Sequence, residues 1–278
     1  MRKNKYIFLL RMAHYIYLCL FCLINLIPII WTIGLSFMTN QEITSNKFFL
    51  SSNFTNIMGY KKVLSSLPIL RYMLNSLIVS ISATLISIVA ISMGAYVFVK
   101  ANFPYKEYIY FLFISSLLIP MPALISSVHA VIRFLNLYDN LIGLIIVYVG
   151  MNLPLALIIM RASFEKIPNN TEEAAMIDGA GFTKTFVFIS LPNVKGGIIS
   201  ASALCFINSW NEFTFALILT SSNKNRTLPL SIRFFTSQYS YDFSSMFSAI
   251  TLSMIPSIIF FLLLTTNIFN IIQTEVED

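Results

Sequence analysis

Charge is scarce in this 278-residue sequence: Asp, Glu, Lys and Arg together make up 11% of it. A soluble domain carries about 25%, so a water-facing globular fold is excluded. The phosphate loop G-x-x-x-x-G-K-[ST] is absent; any ATP hydrolysis must come from another chain. Cysteine is limited to Cys19, Cys22 and Cys205, all within apolar runs. The Cys19-x-x-Cys22 spacing is a weak signal, and buried apolar thiols are its plainer reading. No His/Cys/Asp/Glu cluster stands at metal-ligand spacing, so no metal site and no catalytic residue is assigned. No aromatic-basic cluster points to nucleic acid.

What is present is apolar: 57% of the residues, with a mean hydropathy of +0.78. The length accommodates about six membrane spans of ~20 residues with short loops and leaves no room for an ATPase domain. The spacing of polar breaks predicts an all-α membrane protein, one transmembrane domain over 1–278, with spans at about 18–37, 75–99, 108–127, 141–160, 197–220 and 246–271. Arg2, Lys3, Lys5 and Arg11 precede the first run. That run is too long for a signal core, and no A-x-A site follows it. Pro28 should kink the first span, and Trp31 suits an outer interface. Span two is rich in Ser, Ala and Gly, which lets helices approach closely in lipid. Pro120 and Pro122 remove backbone donors and should break span three. His129 reads as an interfacial residue and Asn53-Phe54-Thr55 as a sequon without consequence.

Two polar features interrupt the apolar pattern. Span four carries Asn152 and Pro154, and span five carries Ser209-Trp210-Asn211-Glu212-Phe213. An ionisable residue inside a span is expensive and is a functional candidate by default. Asn152, Trp210, Asn211 and Glu212 are therefore candidate pathway residues. The competing reading is that Trp210 packs while Asn211 and Glu212 are internally hydrogen-bonded.

The longest polar interruption of the second half is 170–192, NTEEAAMIDGAGFTKTFVFISLP, within a loop at about 161–196. Asn170 can cap a short helix, with Glu173 completing a capping box. Glu172 and Glu173 suit the positive end of the helix dipole, and Ala174, Ala175 and Met176 give a small apolar face. Gly179 and Gly181 are natural terminators. Such a helix, of about two turns, is too short to be stable alone and suits a cleft on a partner.

The order is Glu173-Ala174-Ala175, three residues, Gly179, nine residues, Ile189, one residue, Leu191-Pro192. This resembles the EAA signature of binding-protein-dependent ABC importer permeases. Ile177-Asp178-Gly179-Ala180, Trp210-Asn211-Glu212-Phe213, Thr227-Leu228-Pro229 and Asn75-Ser76-Leu77 look most like the smaller permease subunit of maltose-transporter-type sugar importers. The sequence departs from that pattern at Gly196, where a second proline is usual, and in its acidic end, Glu275, Glu277 and Asp278.

The resemblance implies a type I importer fold with both termini cytoplasmic in a bacterial cell membrane. It implies an ATPase dimer that binds ATP and Mg, a second and different permease, and an extracytoplasmic binding protein. Glu172, Glu173, Ala174, Ala175, Asp178, Gly179, Gly181, Leu191 and Pro192 become ATPase-coupling candidates. Asn223, Lys224 and Arg226, in the polar stretch after span five, become binding-protein contacts. The charge bias supports this topology weakly, since Lys224, Arg226 and Arg233 then lie outside. The alternative is an ion-coupled secondary transporter, which needs intramembrane acid or base residues and often inverted repeats; Glu212 is the clear carboxylate candidate, and no repeat is evident.

Overall fold

Long uncharged runs leave the backbone one way to satisfy its polar groups in hydrocarbon, the helix. The computed structural model describes the backbone of residues 2–45, 55–236 and 241–277, and side chains of residues 10–45, 55–236 apart from Asn169, and 241–263. Thirteen α-helices occur among them: α1 Arg2–Leu35, α2 Asn40–Thr44, α3 Met58–Ser66, α4 Ile69–Lys100, α5 Lys106–Ser115, α6 Met121–Phe134, α7 Leu141–Phe164, α8 Asn169–Ile177, α9 Phe182–Thr185, α10 Leu191–Asn193, α11 Lys195–Asn211, α12 Thr214–Leu219 and α13 Phe243–Glu277. The described residues contain one isolated β-bridge, Thr236 with Tyr241. Asn53 and Phe54 of the sequon lie outside the described residues.

Four helices are long and apolar enough to cross a bilayer, and two bent pairs raise the number to six. The first pair, Lys106–Leu118 with Met121–Phe134, bends by 103°. The break falls at Pro120, whose extended backbone (φ −62°, ψ 129°) starts α6. Span three is thus no straight rod over 108–127: it turns sharply and runs on to Phe134, taking Arg133 into the last helical turn rather than the following loop. The second pair, Phe182–Asn193 with Lys195–Asn211, bends by 77°.

The chain divides into two compact units. The first comprises Met1–Ile69 and Ser231–Met254. Here Thr39 and Glu42 form a reciprocal capping box on α2. The Ser248 hydroxyl donates to the Ser36 carbonyl at 3.2 Å, and Ser36 also meets the Tyr60 hydroxyl at 2.7 Å. Asp242 accepts from Lys62 at 2.5 Å and from the Ser245 hydroxyl at 2.8 Å. Burial alone would raise its carboxyl; these donors outweigh burial and hold it below the ordinary carboxylate value.

The second unit comprises Leu70–Leu230 and Ile255–Asp278. Its core forms where α4, α7 and α11 meet. Ile91, Ala95 and Tyr96 pack there with Ala156, Leu157, Met160, Phe164, Ala201 and Cys205. Ser80, Ala83, Ser87, Ser92 and Ala95 of α4 are all buried, and at 3.6 residues per turn they spread over about half of the helix circumference. α7 and α11 approach closely at Gly197, where an added Cβ would lie 2.1 Å from Ser163 Oγ. Span five is not continuous over 197–220. α11 ends at Asn211, Glu212 is extended (φ −68°, ψ 125°), and α12 restarts at Thr214.

Candidate coupling, pathway and outer-loop sites

The polar loop after α7 folds into a chain of short helices. α8 starts at Asn169 with Pro168 at its N-cap position and no side-chain cap. Asn170 is therefore inside the helix, and the capping box with Glu173 does not form. Proline fixes the entry instead: it favours extended backbone in the residue before it, and its own φ suits a helix start. At the other end Gly179 takes φ +85°, the left-handed geometry that ends helices. Gly181, by contrast, is extended (φ −73°, ψ 166°) and begins α9 rather than ending α8.

The two acidic neighbours on α8 separate. Glu172 is buried and 5% exposed, whereas Glu173 faces outward. Glu172 pairs with Lys100 at 3.0 Å and accepts from the Ser190 hydroxyl at 2.5 Å. Ser190 closes a π-helical turn, Phe186–Ser190, a local widening of the helix found often at functional sites. Ala174, Asp178, Gly179, Gly181 and Pro192 are exposed, and Ala175 and Leu191 half-buried. Met176 and Ile177 are also exposed, Ile177 to 86%. Tyr96 backs the loop, its ring centroid 4.9 Å from Phe182 and from Phe186 and 5.5 Å from Phe164.

The break in span five is held by side chains of α7. Glu212 accepts from the Phe215 amide at 2.8 Å and the Ala216 amide at 3.0 Å, so its carboxylate caps α12. The Tyr148 hydroxyl donates to it at 2.7 Å. One turn along α7, Asn152 donates to Ser209 Oγ at 2.9 Å. Trp210 is buried and stacks on Phe206 at 5.8 Å, while Asn211 is exposed. A concave pocket of about 440 Å³ opens beside the break, lined by Tyr148, Asn152, Asn208, Ser209, Asn211, Glu212 and Thr214 with Met121, Met151, Ile207 and Phe213. Asn152, Asn211 and Glu212 thus share one cavity, and Trp210 is not among the residues that line it. The internal partners account for Glu212 and Asn152; Asn211 has solvent access.

The stretch after α12 is pinned rather than free. Asp139, in left-handed backbone at φ 55°, accepts from the Ser221 amide at 3.0 Å and the Ser222 amide at 3.1 Å. Asn225 donates to the Asp139 carbonyl. Asn75 donates to the carbonyls of Lys224 at 2.9 Å and Arg226 at 2.8 Å, and the Arg226 guanidinium donates to Asn223 Oδ1 at 2.8 Å. Asn223 and Lys224 remain exposed, and Arg226 is half-buried. Burial would raise the Asp139 carboxyl, but the Ser221, Ser222 and Asn225 donors hold it below its ordinary value.

Comparison with known proteins decides the class of this architecture. A family model, the binding-protein-dependent transport system inner membrane component, matches residues 86–274. The chain belongs to this family. The permease is 31% identical to the trehalose/maltose transport system permease protein MalG of Thermococcus litoralis, over 88% of each chain. It is 28% identical to the sulfoquinovosyl glycerol transport system permease protein SmoH of Agrobacterium fabrum, over 84% of this chain and 81% of the relative. Its fold resembles a chain of a bacterial ABC transporter that imports the acidic polysaccharide alginate, with a TM-score of 0.74 and 23% identity over 92% of this chain and 95% of that one.

The permease is therefore a multi-pass membrane component of a transport system, with the type I ABC importer permease fold, and no enzyme. Its family works with an ATPase and a substrate-binding protein. Sequence reading missed Lys100 and Ser190 as partners of Glu172, and Tyr148 as partner of Glu212. Lys100 was visible as a cation at the end of an apolar run. Nothing in the sequence tied it to residue 172.

Proposed function

We propose that this permease is one of two different membrane subunits of an ATP-driven sugar importer, and that it carries no ATPase site of its own. ATP and Mg are bound by a dimer of ATPase subunits, and α8 is the element that seats on them. The observation that carries this reading is the outward face of α8: Glu173, Met176 and Ile177 are exposed on a nine-residue helix set between spans. An acidic group beside an apolar patch suits a cleft with an apolar floor and a cationic rim. The loop, with both termini, lies on the cytoplasmic side, and the pinned 221–226 loop faces the binding protein outside.

The pocket at the broken span supports a path for a polyhydroxylated solute. Asn152, Asn208, Asn211 and Glu212 supply donors and acceptors, and Met121, Met151 and Phe213 supply apolar surface. The trehalose/maltose and sulfoquinovosyl glycerol relatives support a sugar or sugar-derived solute. ATP-driven closure moves α8, and the spans exchange inward-facing and outward-facing states that differ in affinity for the partners. Glu173→Lys tests the docking face. The variant should insert normally, lose co-purification with its ATPase subunits and abolish sugar uptake, because reversing a desolvated charge contact costs about 3–5 kcal/mol. Normal uptake with normal co-purification would refute the docking role.

A further inference from the structure

Glu172 is next to Glu173, yet it cannot serve the same surface. Its side chain is 6% exposed, and that of its partner Lys100 is 12% exposed. Lys100 is the last residue of α4, and Ser190 the last of the π turn. Ser190 also donates to the Thr185 carbonyl at 3.4 Å. Three segments therefore meet at one carboxylate: the end of a span, the short helix α8, and the π turn that follows it in the same loop. The Tyr96 ring, one helical turn before Lys100, packs on Phe182 and Phe186 of the same loop.

A buried ion pair is a poor device for stability, because desolvation offsets most of the attraction and an apolar pair of similar volume often does as well. What it supplies is direction. Two hydrogen-bonded charges fix one mutual position, whereas apolar side chains slide. Helix α8, of nine residues, is too short to hold a fixed pose by its own backbone bonds. Something must therefore tie it to the spans if its displacement is to reach them.

We infer that Lys100, Glu172 and Ser190 form the linkage that makes α8 and the end of α4 move as one body, so that Glu172 transmits the motion and Glu173 receives it. This rests on reading α8 as the docking helix. Glu172 is thus a positioning residue whose target is α4, and it is not part of the ATPase contact.

The test uses the reconstituted complex with its ATPase subunits and binding protein, with Cys19, Cys22 and Cys205 replaced. In Glu172→Gln and Lys100→Met, the ATPase subunits should still co-purify and hydrolyse ATP. The sugar moved per ATP should fall by about tenfold, within the range of coupling between linked sites. The apolar pair Lys100→Met/Glu172→Leu removes both charges and guards against misfolding. It should assemble and remain uncoupled. In Lys100→Cys/Glu172→Cys a short thiol cross-linker should restore the transport ratio, because it re-creates the tie.

Wild-type transport per ATP in the apolar pair, or a cross-link that blocks transport, would overturn the inference. So would loss of the ATPase subunits in Glu172→Gln, which would return Glu172 to the docking face. Glu173→Lys reads the docking role separately: retention of the ATPase subunits there would remove the premise, whatever the cross-link does.

Discussion

Replacing Glu212 tests whether the break in span five is built or incidental. The carboxylate is 8% exposed and holds three donors: the amides of Phe215 and Ala216 and the Tyr148 hydroxyl. Glu212→Leu leaves all three unpaired. Each orphaned buried donor costs about 1–3 kcal/mol, so the sum is about 3–9 kcal/mol, and shared relaxation favours the lower half. Helix α12 has six residues and cannot stand without its cap. Glu212→Gln keeps one oxygen but turns an amide NH2 toward a donor; losing charge-assisted bonds makes its cost about 1–3 kcal/mol. Tyr148→Phe removes a single bond, and hydrogen bonds between membrane helices average about 0.6 kcal/mol. Thermal melts in detergent should therefore rank Tyr148→Phe mildest, Glu212→Gln next and Glu212→Leu worst, with the last accumulating poorly in membranes. A Glu212→Leu protein that melts and transports like its parent would refute the argument. A Glu212→Gln protein that melts normally but loses uptake would move the charge from holding the break to serving the path.

Gly197→Ala should destabilise by about 1–3 kcal/mol through overpacking, since its Cβ would lie 2.6 Å from Ser163 Cβ; adding Ser163→Gly should restore the melting temperature. Gly179→Leu should weaken recovery of the ATPase subunits through backbone strain of about 1–2 kcal/mol, because its φ is +85° with open space around it; Gly179→Asn, which tolerates that geometry, should recover them nearly in full. Asp139 has a lowered folded pKa, so its stabilisation is complete above the unfolded value near 3.9 and is lost as pH falls through the folded value. Hydrogen exchange at Ser221 and Ser222, corrected for intrinsic rate, should show protection at pH 6 that declines below about pH 4, and Asp139→Asn should flatten that dependence.

Much of the fold could be read from the sequence because one rule dominates in lipid. Runs of apolar residues long enough to span became α1, α4, α7 and α13. The break at Pro120 was legible too, since proline acts through its own ring. The break at Glu212 was not. Residues 205–220 contain neither Gly nor Pro, so local propensity favours one continuous helix. The interruption depends on a carboxylate reaching two amides ahead of it and on Tyr148, 64 residues earlier in the chain. The failed capping box on α8 has a similar origin: Asn170 and Glu173 had the right spacing, but the cap position falls on Pro168, about two residues before the one the box needs.

The Glu-Ala-Ala stretch marks the reach of residue spacing. Glu173, Ala174, Ala175 and Gly179 lie in an ordered pattern, and that pattern singles out α8 and the turn that ends it. It cannot say which of two adjacent acids turns outward. Successive residues on a helix differ by about 100° in direction, so one of Glu172 and Glu173 had to face the spans if the other faced a partner. The choice was made by Lys100, 72 residues before Glu172 in sequence, and by Ser190, which the π turn brings to it. A buried carboxylate without that cation would carry a desolvation cost that the Ser190 hydroxyl offsets only in part, so the ion pair favours this rotation of α8 about its axis. The same pairing that settles the rotation leaves Glu173 as the acid on the exposed face. The exposed acid and the buried ion pair are two consequences of a single helical phase, and a substitution that turned α8 about its axis would exchange them.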